Sequence, residues 1–170
     1  MFGRVMEDTQ GAIIVRPAAM ADMPRLGLLG SLLMALHHDF DPTRFIAPTQ
    51  QTSDLYAGFL ESQRQRQDAI VLVAERQSVV AGYTYAMLEG NDLMALRGPA
   101  GVLHDLVVDS AHRRRGVGRL LVEATRVELA SRGAPRLVLS TAAKNEAAQR
   151  LFAEVGFRPT MVEMTLDLGK

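Results

Sequence analysis

The sequence predicts a single mixed α/β domain built around one sheet, and three observations predict it. Short β-rich runs and amphipathic helical stretches alternate in the order β, two helices, three strands, helix, strand, helix, strand. The 170 residues are 48% hydrophobic and 22% charged, enough to bury one core without disulfides or metals. No shift in composition cuts the chain in two. The domain is expected over residues 12–170. Residues 1–11, whose few apolar residues follow neither period, are expected as a mobile leader.

The elements follow in order. Residues 12–16, AIIVR, form a branched apolar run closed by Pro17, a first strand. Asp22 and Pro24 open a helix whose inward face is Leu26, Leu29, Leu33 and Leu36 and which ends near His37. The stretch 37–48, with two prolines and two aspartates, is a loop. Ser53 caps a second helix with Leu55, Phe59 and Leu60 on its apolar side. Ala69–Ala74 and Val79–Leu88 make a hairpin, and Val102–Val108 is a third β-run after a second loop. Val117, Leu120, Leu121, Ala124 and Val127 mark one face of a helix stopping at Gly133. A strand at 136–141 is followed by a helix over 145–155, closed by Gly156, and by further strand from Phe157 to Leu168.

Composition narrows the function. Lys plus Arg and Asp plus Glu number 19 each, so no global field favours nucleic acid or an anionic membrane, and neither is expected as a partner. The chain has no cysteine, which excludes a thiolate nucleophile and a Cys-ligated metal. His37, His38 and Asp39 lack a matched further ligand, so no metal is expected. The opening residues lack the apolar core of a signal peptide and no run approaches a membrane span, so a cytoplasmic location is expected.

The chemistry concentrates in HDLVVDSAHRRRGVGRLLVEA, residues 104–124, a strand and short turn leading into a basic, glycine-containing loop and then a helix. Amides at a helix N-terminus lack intrahelical partners and favour phosphate oxygens. Gly116 and Gly118 let those amides approach a ligand, and Arg113, Arg114, Arg115 and Arg119 add charge, one or two of them as a clamp. A Rossmann fingerprint fails because its third glycine position is Leu121, and no GK[ST] completes a Walker loop.

Arg113, Gly116 and Gly118 fill a pattern that resembles the coenzyme A loop of the GNAT superfamily of N-acetyltransferases. NEAAQRLFAEVGF, residues 145–157, is similar to the family's second motif through Asn145, Ala148, Leu151, Gly156 and Phe157. IIVRPAAMADMP, residues 13–24, is similar to its first strand and helix. The resemblance implies a mixed sheet splayed between its middle strands, with helices on both faces. It also implies acetyl-CoA as co-substrate: its pantetheine arm on Leu106, Val107 and Val108, its pyrophosphate on the amides of Arg114, Arg115, Gly116, Val117, Gly118 and Arg119, and Asn145 on the far side.

The implied reaction is direct attack of an amine on the thioester in a ternary complex, an oxyanion stabilised by a backbone N–H. The acceptor is expected to be a small molecule, an amino acid or a peptide terminus. His104 is the candidate base, since imidazole titrates near neutrality and precedes the pantetheine contacts; the alternative is a structural histidine. Strand parity groups His104 with Val102 and Leu106 and sends Asp105 to the opposite face unless a bulge intervenes. The family's usual acidic tyrosine is replaced by Phe152. That leaves Tyr83, Tyr85 or solvent to protonate the thiolate, or a non-catalytic acetyl-CoA-binding protein. Asp39, Asp41, Glu89 and Asp92 are candidates on the acceptor side. The resemblance also implies a homodimer.

Overall fold

The computed structural model describes residues 5–6 and 12–169. Its elements are β1 (Val5–Met6), β2 (Ile13–Pro17), α1 (Met23–Phe40), α2 (Thr52–Arg64), β3 (Ala69–Arg76), β4 (Val79–Glu89), β5 (Ala100–Val108), α3 (Val117–Ser131), β6 (Leu137–Leu139) and α4 (Glu146–Glu154). The strands lie in one sheet in chain order, β1 to β6. Neighbours are antiparallel except β5 and β6, which run parallel. Most of the expected leader lies outside the described residues; of it, Val5 and Met6 pair with Ile14 and Ile13.

Alternation along the strands splits the core into two. Met23, Leu26, Leu29 and Leu60 of α1 and α2 pack with Val71, Val73, Tyr83, Tyr85 and Val107 on one face. Val117, Leu121, Val122 and Leu129 of α3, with Phe152 of α4, pack with Ile70, Leu72, Ala86 and Leu103 on the other. Helices thus cover both faces, as the resemblance implied. The two helices of the first face touch closely because α1 carries small residues there: a Cβ on Gly30 would lie 2.2 Å from the ring of Tyr56. That contact seats Tyr56 over the sheet.

Three helix details differ from the expected ones. Asp22 makes no side-chain cap on α1; its carboxylate pairs with Arg16 at 2.7 Å and accepts from the Ala19 amide. Leu55 and Phe59 of α2 are exposed, and the buried residues are Thr52 and Leu60. Val127 of α3 is exposed, whereas Thr125 is fully buried, its hydroxyl donating to the Leu121 carbonyl at 2.8 Å and lying 2.9 Å from the Thr84 hydroxyl. A hydroxyl satisfied by its own helix and a facing strand is cheap to bury, so the inward face of α3 is rotated toward Val122, Thr125 and Leu129.

Residues 157–168, expected as a further strand, pair with none of the described strands. Their alternation, with Val162, Met164, Leu166 and Leu168 on one side, is that of a strand, yet Met164 and Leu168 are each 90% exposed. A strand needs an edge to bond to, and β6 at the end of the sheet is only three residues long. The segment is tied through Glu163, which pairs with Arg44.

Candidate active site

Three pieces of backbone build the site. The first is the divergence of the two parallel strands. β5 and β6 pair through Gly101–Leu137, Val102–Val138 and Leu103–Leu139 and no further, so among the described residues the β6-facing edge of Leu106, Val107 and Val108 has no strand partner. The resemblance implied a splay between middle strands; among the described strands the divergence lies instead between β5 and β6, at the edge of the sheet.

The second piece is the turn into α3. Asp109 accepts from the Ala111 amide and pairs with Arg25, holding the end of β5 against α1. Arg114 and Gly116 then take positive φ, +57° and +79°, a backbone that curls its N–H groups toward one side. The first intrahelical bond of α3 runs from the Leu120 amide to the Gly116 carbonyl, so the amides of Val117, Gly118 and Arg119 have no partner within the helix. A Cβ on Gly116 would meet no atom within 4 Å, so the concavity lies open. These features suit a phosphate.

The four arginines and the second glycine have distinct places. Arg113, Arg114, Arg115 and Arg119 are all exposed, and the Arg113 guanidinium donates to the Val108 carbonyl at 3.1 Å, on the strand edge. A Cβ on Gly118 would sit 3.0 Å from the Leu151 side chain of α4, so the small residue also leaves room for Leu151. Asn145 caps α4, its carbonyl oxygen accepting from the Ala148 amide at 3.2 Å.

The third piece is a β-bulge that strand parity missed. Tyr85 pairs with Asp105, but Ala86 pairs with Leu103, so His104 is the extra residue and the side chains on either side of it shift face. His104 therefore stands beside Asp105 on the α1–α2 face instead of opposite it. Its ring stacks on Tyr85 at 5.1 Å, with Nε2 3.0 Å from Glu89 Oε1.

Asp105 is 8% exposed, and its Oδ2 accepts from the hydroxyls of Tyr83 at 2.9 Å and Tyr56 at 3.1 Å. Burial pushes its carboxyl above the usual carboxylate range, against the opposing pull of the two tyrosine hydrogen bonds. Burial, and then the Asp105 charge, push both tyrosines up, so they remain hydrogen-bond donors. A cavity of about 240 Å³ opens onto this group, lined by Leu33, Met34 and His37 of α1, Phe45 and Ile46 of the following loop, Tyr56, His104 and Asp105.

The remaining sequence candidates are otherwise engaged. Phe152 is a core residue, edge-on to Phe157 at 5.6 Å. The Tyr83 hydroxyl is committed to Asp105, and that of Tyr85 to Gln63 and Met87. Glu89 bonds Arg97 and His104, Asp92 accepts from the amides of Met94 and Ala95, and Asp41 accepts from Thr43 and Arg44 within its own turn. His37 and His38 each bond a backbone carbonyl, of Leu33 and Phe45. Among the described residues no group of three or more His, Cys, Asp or Glu is placed to hold a metal ion, and no helix is long and apolar enough to cross a membrane.

Sequence reasoning missed Tyr56 and the central place of Asp105. Tyr56 carried no signal, since it stands in a helix far from the motif; the adjacent His–Asp pair inside an apolar run was the one clue.

The profile of the Acetyltransferase (GNAT) family matches residues 33–157. Mycothiol acetyltransferase of Thermobispora bispora is 33% identical over 96 residues, which cover 54% of this chain and 31% of that protein. The corresponding enzyme of Clavibacter michiganensis is 34% identical, with 32% of it covered. The chain thus spans about a third of the length of these curated relatives. Among solved structures, the F44R mutant of the BH1408 protein from Bacillus halodurans superposes with a TM-score of 0.79 at 22% identity, over 91% of this chain and 99% of that one. Aminoglycoside N-acetyltransferase AAC(6')-Iy in complex with CoA gives 0.73 at 16% identity, over 95% and 97%. Both likenesses concern the fold.

Proposed function

Since the chain belongs to the GNAT family of acetyltransferases, we propose that it transfers an acetyl group from acetyl-CoA to a primary amine. One observation carries the reading: a single open strand edge joins the two ends of the site. From His104 to Val108 it spans about 13 Å, with the His104–Asp105 pair and its cavity at one end and the free amides of α3 at the other.

Acetyl-CoA supplies an acetyl group already activated as a thioester. The main chain of Leu106, Val107 and Val108 holds the pantetheine amides, and the turn and first helical residues from Arg114 to Arg119 hold the pyrophosphate. Asn145, besides capping α4, lies on the far side of the arm. Asp105 receives the amine as its ammonium form. His104 takes the proton that the ammonium must shed before its nitrogen becomes a nucleophile; with Glu89 accepting from Nε2–H, the lone pair for that proton is on Nδ1. No side chain is required to protonate the departing thiol group, whose reference pKa of about 8.5 makes it a fair leaving group.

Thermal unfolding with excess acetyl-CoA, with NAD as control, tests the cofactor without a known acceptor. At about 100 times the dissociation constant a ligand adds ~2.7 kcal/mol, an upward shift of roughly 5 to 10 °C for this size. No shift at millimolar acetyl-CoA would sink the reading. His104→Gln is expected to lower kcat/KM by up to about 10²-fold, the low end for a general base because water can reach an exposed ring, with the KM for acetyl-CoA unchanged. Wild-type turnover would remove His104 from the mechanism. Phe152 favours a second reading, a non-catalytic acetyl-CoA binder; this predicts the thermal shift without release of free thiol for any amine.

A further inference from the structure

Resting on the acetyl-transfer reading, we propose that the acceptor is a small monoamine with a compact apolar body, an alkyl- or arylalkylamine end, and not a polyamine or an aminosugar. The chemistry of the cavity argues this. Its walls are Leu33, Met34, Phe45 and Ile46 with His37 among them, and its only carboxylate is Asp105. The nearby acids are used elsewhere: Glu89 bonds Arg97 at 2.7 Å and His104 at 3.0 Å, and Asp41 bonds its own turn. One ammonium therefore finds a counter-charge, and a second one further along the acceptor would find no second carboxylate, only mostly apolar walls. Burying an unpaired charge against apolar walls is strongly unfavourable, and each unpartnered hydroxyl of a sugar adds its own desolvation cost.

Size points the same way. At about 240 Å³ the cavity falls below the ~300–1,000 Å³ typical of pockets for drug-sized ligands, so it takes the reacting end of a small molecule. The placement of charge adds orientation. Asp105 sits at the floor, fixed by Tyr56 and Tyr83, beside His104. The amine end is thus drawn toward the base and the apolar body is left against α1 and the loop. Selectivity then comes from mismatch, since the walls reject any acceptor carrying polar groups where this body lies.

The test measures thiol release from acetyl-CoA with n-alkylamines from propylamine to hexylamine, phenethylamine, and the diamine 1,5-diaminopentane. The expected result is a rise in kcat/KM of about threefold to fourfold per buried methylene until the cavity is full. The diamine is expected to react at least 100-fold more slowly than pentylamine. Ile46→Asp supplies the missing second counter-charge. Ile46 is 74% exposed, so the variant keeps its fold and its thermal response to acetyl-CoA, and it is expected to gain at least tenfold on the diamine while losing on hexylamine. A flat series, a preferred diamine, no acetylation of any amine, or an Ile46→Asp variant with unchanged preference would overturn the acceptor assignment. Thermal stabilisation by acetyl-CoA separates this failure from the broader one: if the shift is present, only the acceptor assignment falls, and if it is absent, acetyl transfer falls with it.

Discussion

Gly116→Glu is expected to weaken acetyl-CoA binding by more than 100-fold while the protein still unfolds as a cooperative unit. Gly116 caps α3 with φ at +79° and would have no atom within 4 Å of a Cβ, so a side chain there collides with nothing in the protein. Two penalties remain. A non-glycine residue in the left-handed region costs about 1–2 kcal/mol, which acts on folding and on the shape of the turn. A carboxylate about 4 Å from a bound phosphate adds repulsion of roughly 4 kcal/mol at an effective dielectric of 20. The second effect wins, and Gly116→Ala separates them by retaining only the strain. Titration calorimetry should find the Ala variant within about tenfold of the native protein and the Glu variant beyond reach. Equal affinity for native and Glu proteins would move the phosphate site away from this turn.

Asp105→Asn is expected to lower kcat/KM for a small monoamine by about 10²–10³-fold, since removing one partner of a buried charged pair costs about 2–5 kcal/mol. The sign of its pH dependence follows from burial, which holds the carboxyl above the usual carboxylate range in the folded chain. The folded state thus binds this proton more tightly than the unfolded state. Between the two pKa values, stability from this group rises as the pH falls, and above the folded value the ionised form is a stability cost. Activity needs the ionised form and so declines on the acid side at a higher pH than an ordinary carboxylate near ~3.9 would produce. In Asp105→Asn the part of that decline set by Asp105 should vanish, leaving only the requirement that the base His104 be neutral, and thermal stability at neutral pH should not fall. An unaltered acid limb in the variant would assign it to another group; a marked loss of stability would mean that Asp105 chiefly supports the fold.

Opposite requirements meet at this position. An apolar residue in place of Asp105 would leave the hydroxyls of Tyr56 and Tyr83 unpartnered. Retaining the carboxylate requires keeping an ionisable group buried. Such a group is costly in the resting protein and, under the proposed reaction, useful when a cation arrives, which is how strained or desolvated residues at sites commonly behave.

The sequence by itself determined the order of elements from the first predicted strand to α4, both helix stops at Gly133 and Gly156, and the glycine turn with free amides before α3. Each rests on local physics: periodicity along one segment, a left-handed residue that glycine tolerates, and amides left free at a helix start. The tertiary structure decided what depends on partners distant in the chain. The inward face of α3 turned on Thr125 finding Thr84; residues 157–168 alternate like a strand but pair with none of the described strands. Asp105 joined His104 on one face because β5 carries an extra residue opposite β4. Tyr56 reached Asp105 from a helix some fifty residues earlier because Gly30 admits its ring. A bulge belongs to the register between two strands, and a long-range hydrogen bond to the packing of two elements, so neither leaves a mark in the residues taken one segment at a time.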